Sequence, residues 1–391
     1  MAPERLETRC TPTLIAPVAF KAETLLHRVP VVLQHASLER LLVTRSTGQA
    51  AREDAPKEGG ERFPSERPLR PERGGICRPL SQCPADVGSA LVRKQVANAP
   101  TPSRPAVRTT LLAIPPRQQW DENGGYCGET SIQSVALSFG TYASQYRIRA
   151  FINPDQQAQL LIGVNEQIAL RALRLTFDQW NFNQPTPQAN NYLAWVKQKI
   201  QAGAPVIGTL YIRGMADPDY DHIVAMIGFR SSRDSSRYHP GDVLLFNDHF
   251  ASATLSRTFA TLAATRRNAN AGSFLYAIPR QIDYGCAVTG IVDTLRETVP
   301  VRLQVDRSWE PDLIAGAQPV IMHATMSVQS LVPGTTYSLL RYDDPAVVPD
   351  SGFLANGGST WARTFTATAA TQTFTDQFLS NAVVTYRCVP S

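Results

Sequence analysis

A single cysteine stands where a helix should begin in Gln118-Gln119-Trp120-Asp121-Glu122-Asn123-Gly124-Gly125-Tyr126-Cys127-Gly128-Glu129-Thr130-Ser131. A helix start presents unpaired backbone N–H groups and the positive end of the helix dipole, which together lower a thiol pKa and can hold an oxyanion. Cys127 is therefore the candidate nucleophile. His222 opens the apolar run His222 to Phe229, and Asn247 and Asp248 lie at the close of the next one, Asp242 to Asn247. A polar loop from Arg230 to Gly241 separates the two runs and reads as the turn of an antiparallel pair. A hairpin centred on residue 235 sets His222 beside Asn247 or Asp248. An imidazole with such a neighbour is fixed in tautomer and orientation and can take a proton from a thiol. His249, just beyond, reads as a loop residue.

The elements that must position these groups follow from local pattern. "TTLLAIPPRQQW" reads as a short strand ended by Pro115-Pro116. From Gly128 onward Ile132, Val135, Ala136 and Phe139 fall at helical spacing, and Gly140 supplies the stop. Asn165 opens a helix through Leu173, and Gln188 to Ala202 reads as a second amphipathic helix closed by Gly203. Pro205 to Ile212 joins the two runs above as a third strand; all three are rich in Val, Ile and Leu, as expected where both faces are buried.

Composition sets limits around this constellation. The chain has 391 residues and a formal charge of +5, but residues 1 to 108 carry 17 Lys/Arg against 11 Asp/Glu, and residues 109 to 391 carry 21 against 22. A neutral body lacks the clustered basic face that nucleic-acid binding needs, so no nucleic-acid partner is expected. The first 108 residues also hold 13 of the 29 prolines, in runs such as "AREDAPKEGGERFPSERPLRPERGG", and read as a disordered or propeptide-like basic segment. Cys10, Cys77, Cys83, Cys127, Cys286 and Cys388 form neither paired zinc signatures nor a dense disulfide framework. Asp217, Asp219 and Asp221 alternate like metal ligands. They lack the glycine and terminal glutamate of a calcium loop, so they read as a solvated loop and no metal is expected. No run approaches the roughly 18 apolar residues that crossing a membrane takes, and the N-terminus shows no standard secretory signal. Compartment stays open.

The runs "IPPRQQWDENGGYCGETSIQSVALSFG", "APVIGTLYI", "YDHIVAMIGF" and "DVLLFNDHF" resemble papain-like cysteine peptidases, and within them are most similar to the bacteriocin-leader (double-glycine) peptidase group. The resemblance covers about residues 110 to 283. It implies an α+β papain-like domain at 109–290, in which an N-terminal helix carries the cysteine and an antiparallel sheet carries the histidine and Asn/Asp. It further implies Cys127 as nucleophile, His222 as general base and Asp248 as the orienting acid, with Asn247 as the near-equal alternative. Gln119, eight residues before the cysteine, matches the glutamine that donates to the oxyanion, with Gln118 as the other occupant of that place. Glu129, where a smaller group is common, and Asp221, directly before the histidine, depart from the pattern.

From Val299 to Ser391 short segments such as "VRLQV", "VIMHATMSV" and "TWARTFTATA" alternate apolar with Thr/Ser and are separated by turns, which indicates a small all-β sandwich. Leu331 to Tyr337 is similar to a turn and strand of fibronectin type III-like modules. A binding or spacing module without chemistry of its own is expected there, with a cell-surface or glycan partner as one reading. The function expected for the whole is thiol-dependent hydrolysis of a peptide or protein substrate, without a cofactor. The alternatives are acyl transfer to an amine, as in transglutaminase-like enzymes, and a catalytically inactive peptidase fold that binds or adheres.

Overall fold

The chain alternates a few short helices with many antiparallel strands, and the first strand leads straight into the cysteine segment. The structure, a computed structural model, describes residues 106–120, 125–154, 163–212, 220–233, 235–250, 252–262 and 276–391, all within the unit Gln95–Ser391. The basic lead, Cys10, Cys77, Cys83, Asp217 and Asp219 lie outside the described residues, as does the side chain of Asp221.

In chain order the elements are β1 (Arg108–Leu111), α1 (Cys127–Leu137), β2 (Thr141–Ala143), α2 (Gln145–Ala150), α3 (Val164–Ala172), β3 (Leu175–Gln179) and α4 (Ala189–Gln201). Then come β4 (Val206–Ile212), β5 (Tyr220–Ser231), β6 (Val243–Asp248), β7 (Ala253–Thr258), the single turn α5 (Phe259–Leu262), β8 (Tyr276–Ala277) and β9 (Gly285–Ile291). The last six are β10 (Val301–Val305), β11 (Ile321–Val328), β12 (Thr336–Tyr342), β13 (Trp361–Thr366), β14 (Gln372–Leu379) and β15 (Val383–Pro390). The fold is thus sheet-rich with few helices, and the described sheets are antiparallel.

The largest sheet runs β3-β9-β4-β5-β6-β7, with β1 added to β5 and β8 to β4. Strand alternation sends Leu210, Ile212, Val224, Met226, Leu244 and Phe246 to one face, where they pack with Tyr192, Leu193, Val196 and Ile200 of α4. Ile207, Ile223, Ala225 and Ile227 point to the other face and pack with Cys127, Ile132, Val135 and Ala136 of α1. Helices on both faces explain why these strands read as continuous apolar runs. Tyr192 sits directly over Gly208 of β4 and Gly285 of β9, where a Cβ would meet its ring or hydroxyl. Only glycine leaves room for that ring to lie on the backbone.

Two further sheets, β10-β11-β14 and β13-β12-β15-β2, bury Leu303, Met322, Met326, Leu339, Val384, Tyr386 and Cys388 in a shared core. Its edge strand β2 comes from between the first two helices, 240 residues upstream of its partner, and pairs Thr141 with Thr385 and Ala143 with Val383. Gly140, at φ +71°, makes this entry possible: its carbonyl accepts Tyr386 N–H at 2.7 Å, and a Cβ there would strike the Tyr386 carbonyl. The stop signal after α1 is therefore also the joint between the helical region and the C-terminal sheets. No helix among the described residues is long and apolar enough to cross a membrane.

Candidate active site

Cys127 is the first residue of α1, behind Tyr126, which provides no side-chain cap. The first-turn N–H groups are accordingly not taken by a capping side chain. The backbone N–H groups of Ile223 and Gly128 face the sulfur. One turn on, Ser131 Oγ lies 3.2 Å from the Ile223 carbonyl oxygen. The face of α1 that carries residues 127 and 131 thus meets both main-chain polar groups of Ile223, the residue next to His222. Packing of Ile132, Val135 and Ala136 on Ile223, Ala225 and Ile227 holds α1 against β5.

Cys127 is only 3 % exposed, and burial pushes its thiol up to about 12. The N–H groups of Ile223 and Gly128 oppose that shift and the carboxyl groups of Glu129 and Glu166 add to it. The lowered thiol pKa expected from a helix start is therefore not what this geometry produces, because desolvation of the thiolate outweighs the dipole. Glu129 does not face solvent. It is buried and paired with Arg149 Nε, and Arg149 also donates from Nη2 to the Gly125 carbonyl at 2.7 Å and stacks on the Tyr126 ring at 3.7 Å. Its role is to brace the peptide that leads into Cys127.

His222 lies on β5, fully buried, with Nε2 3.3 Å from Asp248 Oδ1. That contact assigns the ring proton to Nε2 and leaves Nδ1 as the basic nitrogen. The hairpin register is Ala225 opposite Asn247, with an irregularity between Met226 and Gly228. Continued past its last pair, it sets His222 opposite Phe250, two residues beyond the expected partner. The hairpin is centred near residue 236 rather than 235, and the one extra residue on β5 brings Phe250 rather than residue 251 opposite His222. Phe250 accordingly stacks flat on the imidazole, with ring centroids 4.5 Å apart at 12°, and with 37 % exposure it roofs the His222–Asp248 pair against water.

Asp248, not Asn247, is the neighbour that His222 meets. Adjacent strand residues face opposite sides, and Asn247 turns toward α1. There it donates to the Ile114 carbonyl at 3.1 Å and to Ser134 Oγ at 3.3 Å, and accepts from Thr254 Oγ1 at 2.8 Å. Asp248 Oδ2 accepts from the Tyr276 hydroxyl and Oδ1 from Phe250 N–H at 2.9 Å. Burial pushes the Asp248 carboxyl up, but the hydrogen bonds from His222 and Tyr276, the charge of His222 and the Phe250 N–H outweigh it and hold the group at about 2. The Asp248 carboxylate stays ionised across the neutral range.

His249 lies in the turn after β6, as its place in the sequence suggests, but it is not exposed there. It is fully buried, with Nδ1 3.1 Å from the Arg117 carbonyl and Nε2 2.8 Å from Ser131 Oγ. A carbonyl only accepts, so Nδ1 carries the proton and the Ser131 hydroxyl donates to Nε2. Burial first, then the charge of His222, drives its pKa down to about 3, so the ring is neutral and structural.

Gln119 is buried beside this pair, with its N–H donating to the His249 carbonyl at 3.1 Å. Its Oε1 has no hydrogen-bond partner among the described residues. Gln118 is half-buried, and its main chain is bound at both ends, by the Ser308 carbonyl at 2.8 Å and by Gln145 Nε2 at 3.0 Å. Of the two glutamines, Gln119 is the one turned inward. His222 thus meets Asp248 directly, Cys127 meets the main chain of the adjoining Ile223, Gln119 is tied to the His249 carbonyl, and Asn247 turns instead toward α1.

No protein-family model matches this chain, and no curated protein matches it. The site rests on its own geometry. Sequence reading missed three contributors. Phe250 follows Asp248 by two positions, but its stacking depends on the bulge. Tyr276 reaches Asp248 across 28 residues, and Glu310 accepts the N–H of Gln145, which holds the Gln118 carbonyl, across 165; nothing local marks either. A buried Glu in "RSWEPD" carries no signal of its own in one sequence.

Proposed function

We propose that the chain is a papain-like cysteine hydrolase that cleaves peptide or amide bonds through an acyl-enzyme on Cys127. The observation that carries this reading is the His222 Nε2 to Asp248 Oδ1 contact beside a helix-start cysteine whose sulfur faces the N–H of the next residue, Ile223. With the thiol raised by burial, Cys127 rests as the neutral thiol. Attack then requires general-base transfer: the Cys127 proton passes to His222 Nδ1 as sulfur bonds to the substrate carbonyl carbon. The Gln119 side-chain amide and the Cys127 N–H face the oxyanion. Collapse breaks the C–N bond, His222 protonates the leaving amine, and a water deprotonated by His222 hydrolyses the thioester. Asp248 stays ionised throughout and stabilises the imidazolium.

The deep burial of Cys127 favours one second reading, a peptidase fold that binds without catalysis. The discriminating experiment incubates the full chain, Cys127→Ala and His222→Ala with a peptide panel that includes Gly-Gly sequences, with and without an added primary amine, and reads products by mass spectrometry. Hydrolysis lost in both variants supports the proposal. Cleavage that survives Cys127→Ala refutes it, and products made only when the amine is present establish acyl transfer. No product from any peptide, with iodoacetamide labelling of Cys127 indifferent to His222→Ala, establishes the binding reading.

A further inference from the structure

The oxyanion segment is held by side chains that the reaction itself does not use. Gln145, at the start of α2, places its amide across both peptide groups that flank Gln119: Nε2 donates to the Gln118 carbonyl at 3.0 Å, and Oε1 accepts Trp120 N–H at 3.1 Å. This mimics a strand neighbour and fixes the backbone from which Gln119 projects. Gln145 is itself held by Glu310, which lies between β10 and β11 in the C-terminal region. Glu310 Oε1 accepts the Gln145 N–H at 2.6 Å. Its Oε2 accepts Gln133 Nε2 at 2.8 Å and the Tyr142 hydroxyl at 2.7 Å, and its main-chain carbonyl accepts Trp120 Nε1 at 3.2 Å. Gln133 is in turn met by Arg117 Nε at 2.9 Å, and Arg117 also donates to the Arg307 carbonyl. Ser308 takes the Gln118 N–H. Apart from its own N–H on His249 and the Thr130 hydroxyl 2.9 Å from Gln145 Oε1, the hydrogen bonds described around Gln119 thus lead to residues 307–310.

A buried carboxylate meeting three donors is a costly arrangement to keep in a core unless its neighbours need fixed geometry. We propose that Gln145 and Glu310 are positioning residues for the oxyanion donor Gln119, so that the C-terminal β-region completes the active site rather than merely following it. The inference rests on the hydrolase reading above. A displacement of the donor by about 1 Å suffices to cost two orders of magnitude in rate, and loss of one oxyanion donor costs about 10²- to 10³-fold.

The test uses the full chain with a Gly-Gly peptide carrying a fluorogenic amide leaving group. Gln145→Met removes the clamp, and Glu310→Gln keeps size while replacing one acceptor oxygen by an NH2 group that opposes a donor. Each is made alone and together with Gln119→Ala; if Glu310→Gln folds poorly, Gln145→Met carries the test. The expected result is a kcat reduced about 10- to 100-fold with KM within about twofold. Amide exchange should accelerate at Gln119 and Trp120, and neither substitution should cost further kcat in the Gln119→Ala background. Losses that multiply with Gln119→Ala, or unchanged exchange at those amides, would overturn the positioning role while leaving the hydrolase reading intact. A wild type that turns over neither this substrate nor any panel peptide would sink the hydrolase reading and the positioning role together, and accelerated exchange would then describe a brace alone.

Discussion

His249→Gln should remove an acid-sensitive part of the protein's stability. The imidazole is buried between the Arg117 carbonyl and Ser131 Oγ, with the charge of His222 nearby and Asp248 and Arg117 as the other charged groups acting on it. Its folded pKa is about 3, against an ordinary value of 6.5. The sign follows from which state binds the proton. A group depressed on folding contributes stability that is fully present above 6.5 and is lost as pH falls toward 3, because only the unfolded chain takes up the proton in that window. Between pH 8 and pH 5 the loss is about 2 kcal/mol, set almost wholly by the unfolded value because the folded one lies well below 5. Asp248 does not interfere: its folded value of about 2 confines its own contribution to pH below about 4. Glutamine offers one donor and one acceptor and does not titrate. Urea unfolding at pH 8 and pH 5, followed by tryptophan fluorescence, should therefore show wild type losing about 2 kcal/mol more than His249→Gln across that interval. Equal losses, within about 0.5 kcal/mol, would refute the buried neutral imidazole.

The same geometry makes other outcomes measurable. Asp248→Ala should lower kcat by about 10²- to 10⁴-fold, because His222 loses the partner that fixes its tautomer. Asn247→Ala should instead cost about 1–3 kcal/mol of stability by stranding the groups it binds near Ile114, Ser134 and Thr254, with kcat of the folded fraction changed less than about threefold. The reverse pattern in kinetics and denaturation would assign the orienting role to Asn247. Iodoacetamide labelling of Cys127 should climb about tenfold per pH unit through pH 9 without levelling, since the thiol lies at about 12. A plateau below pH 8.5 would instead reveal a preformed thiolate–imidazolium pair. Gly208→Ala should destabilise by about 1–3 kcal/mol by driving a methyl into Tyr192, and an unchanged midpoint of thermal unfolding would argue against that close approach.

Much of the site was legible in the residues because its signals are local. The helix beginning at Cys127, the strands at 206–212 and 243–248, and the polar turn between β5 and β6 each follow from periodicity and from glycine and proline punctuation over a few residues. Those signals were enough to bring a histidine to a carboxylate across a hairpin. They could not choose between Asn247 and Asp248 reliably, because that choice depends on register, and one bulged residue at Ile227 moves every later pair. The tertiary structure made that decision, and with it placed Phe250 on the imidazole.

Burial was likewise beyond local reading. The sequence by itself determined that a cysteine, a histidine and a carboxylate follow one another in that order, the first at a helix start and the other two at the ends of neighbouring strands. The packed fold alone decided that the thiol is raised rather than lowered, since a pKa reports the water removed by α1, β5 and their neighbours and not the residue's place in a helix. It alone also decided that Thr141–Ala143 belongs to the C-terminal sheet and that Glu310 reaches Gln145. Contacts between residues far apart in the chain are selected by whichever surfaces become buried together. A lone Glu or a three-residue strand carries no pattern from which that choice could be read.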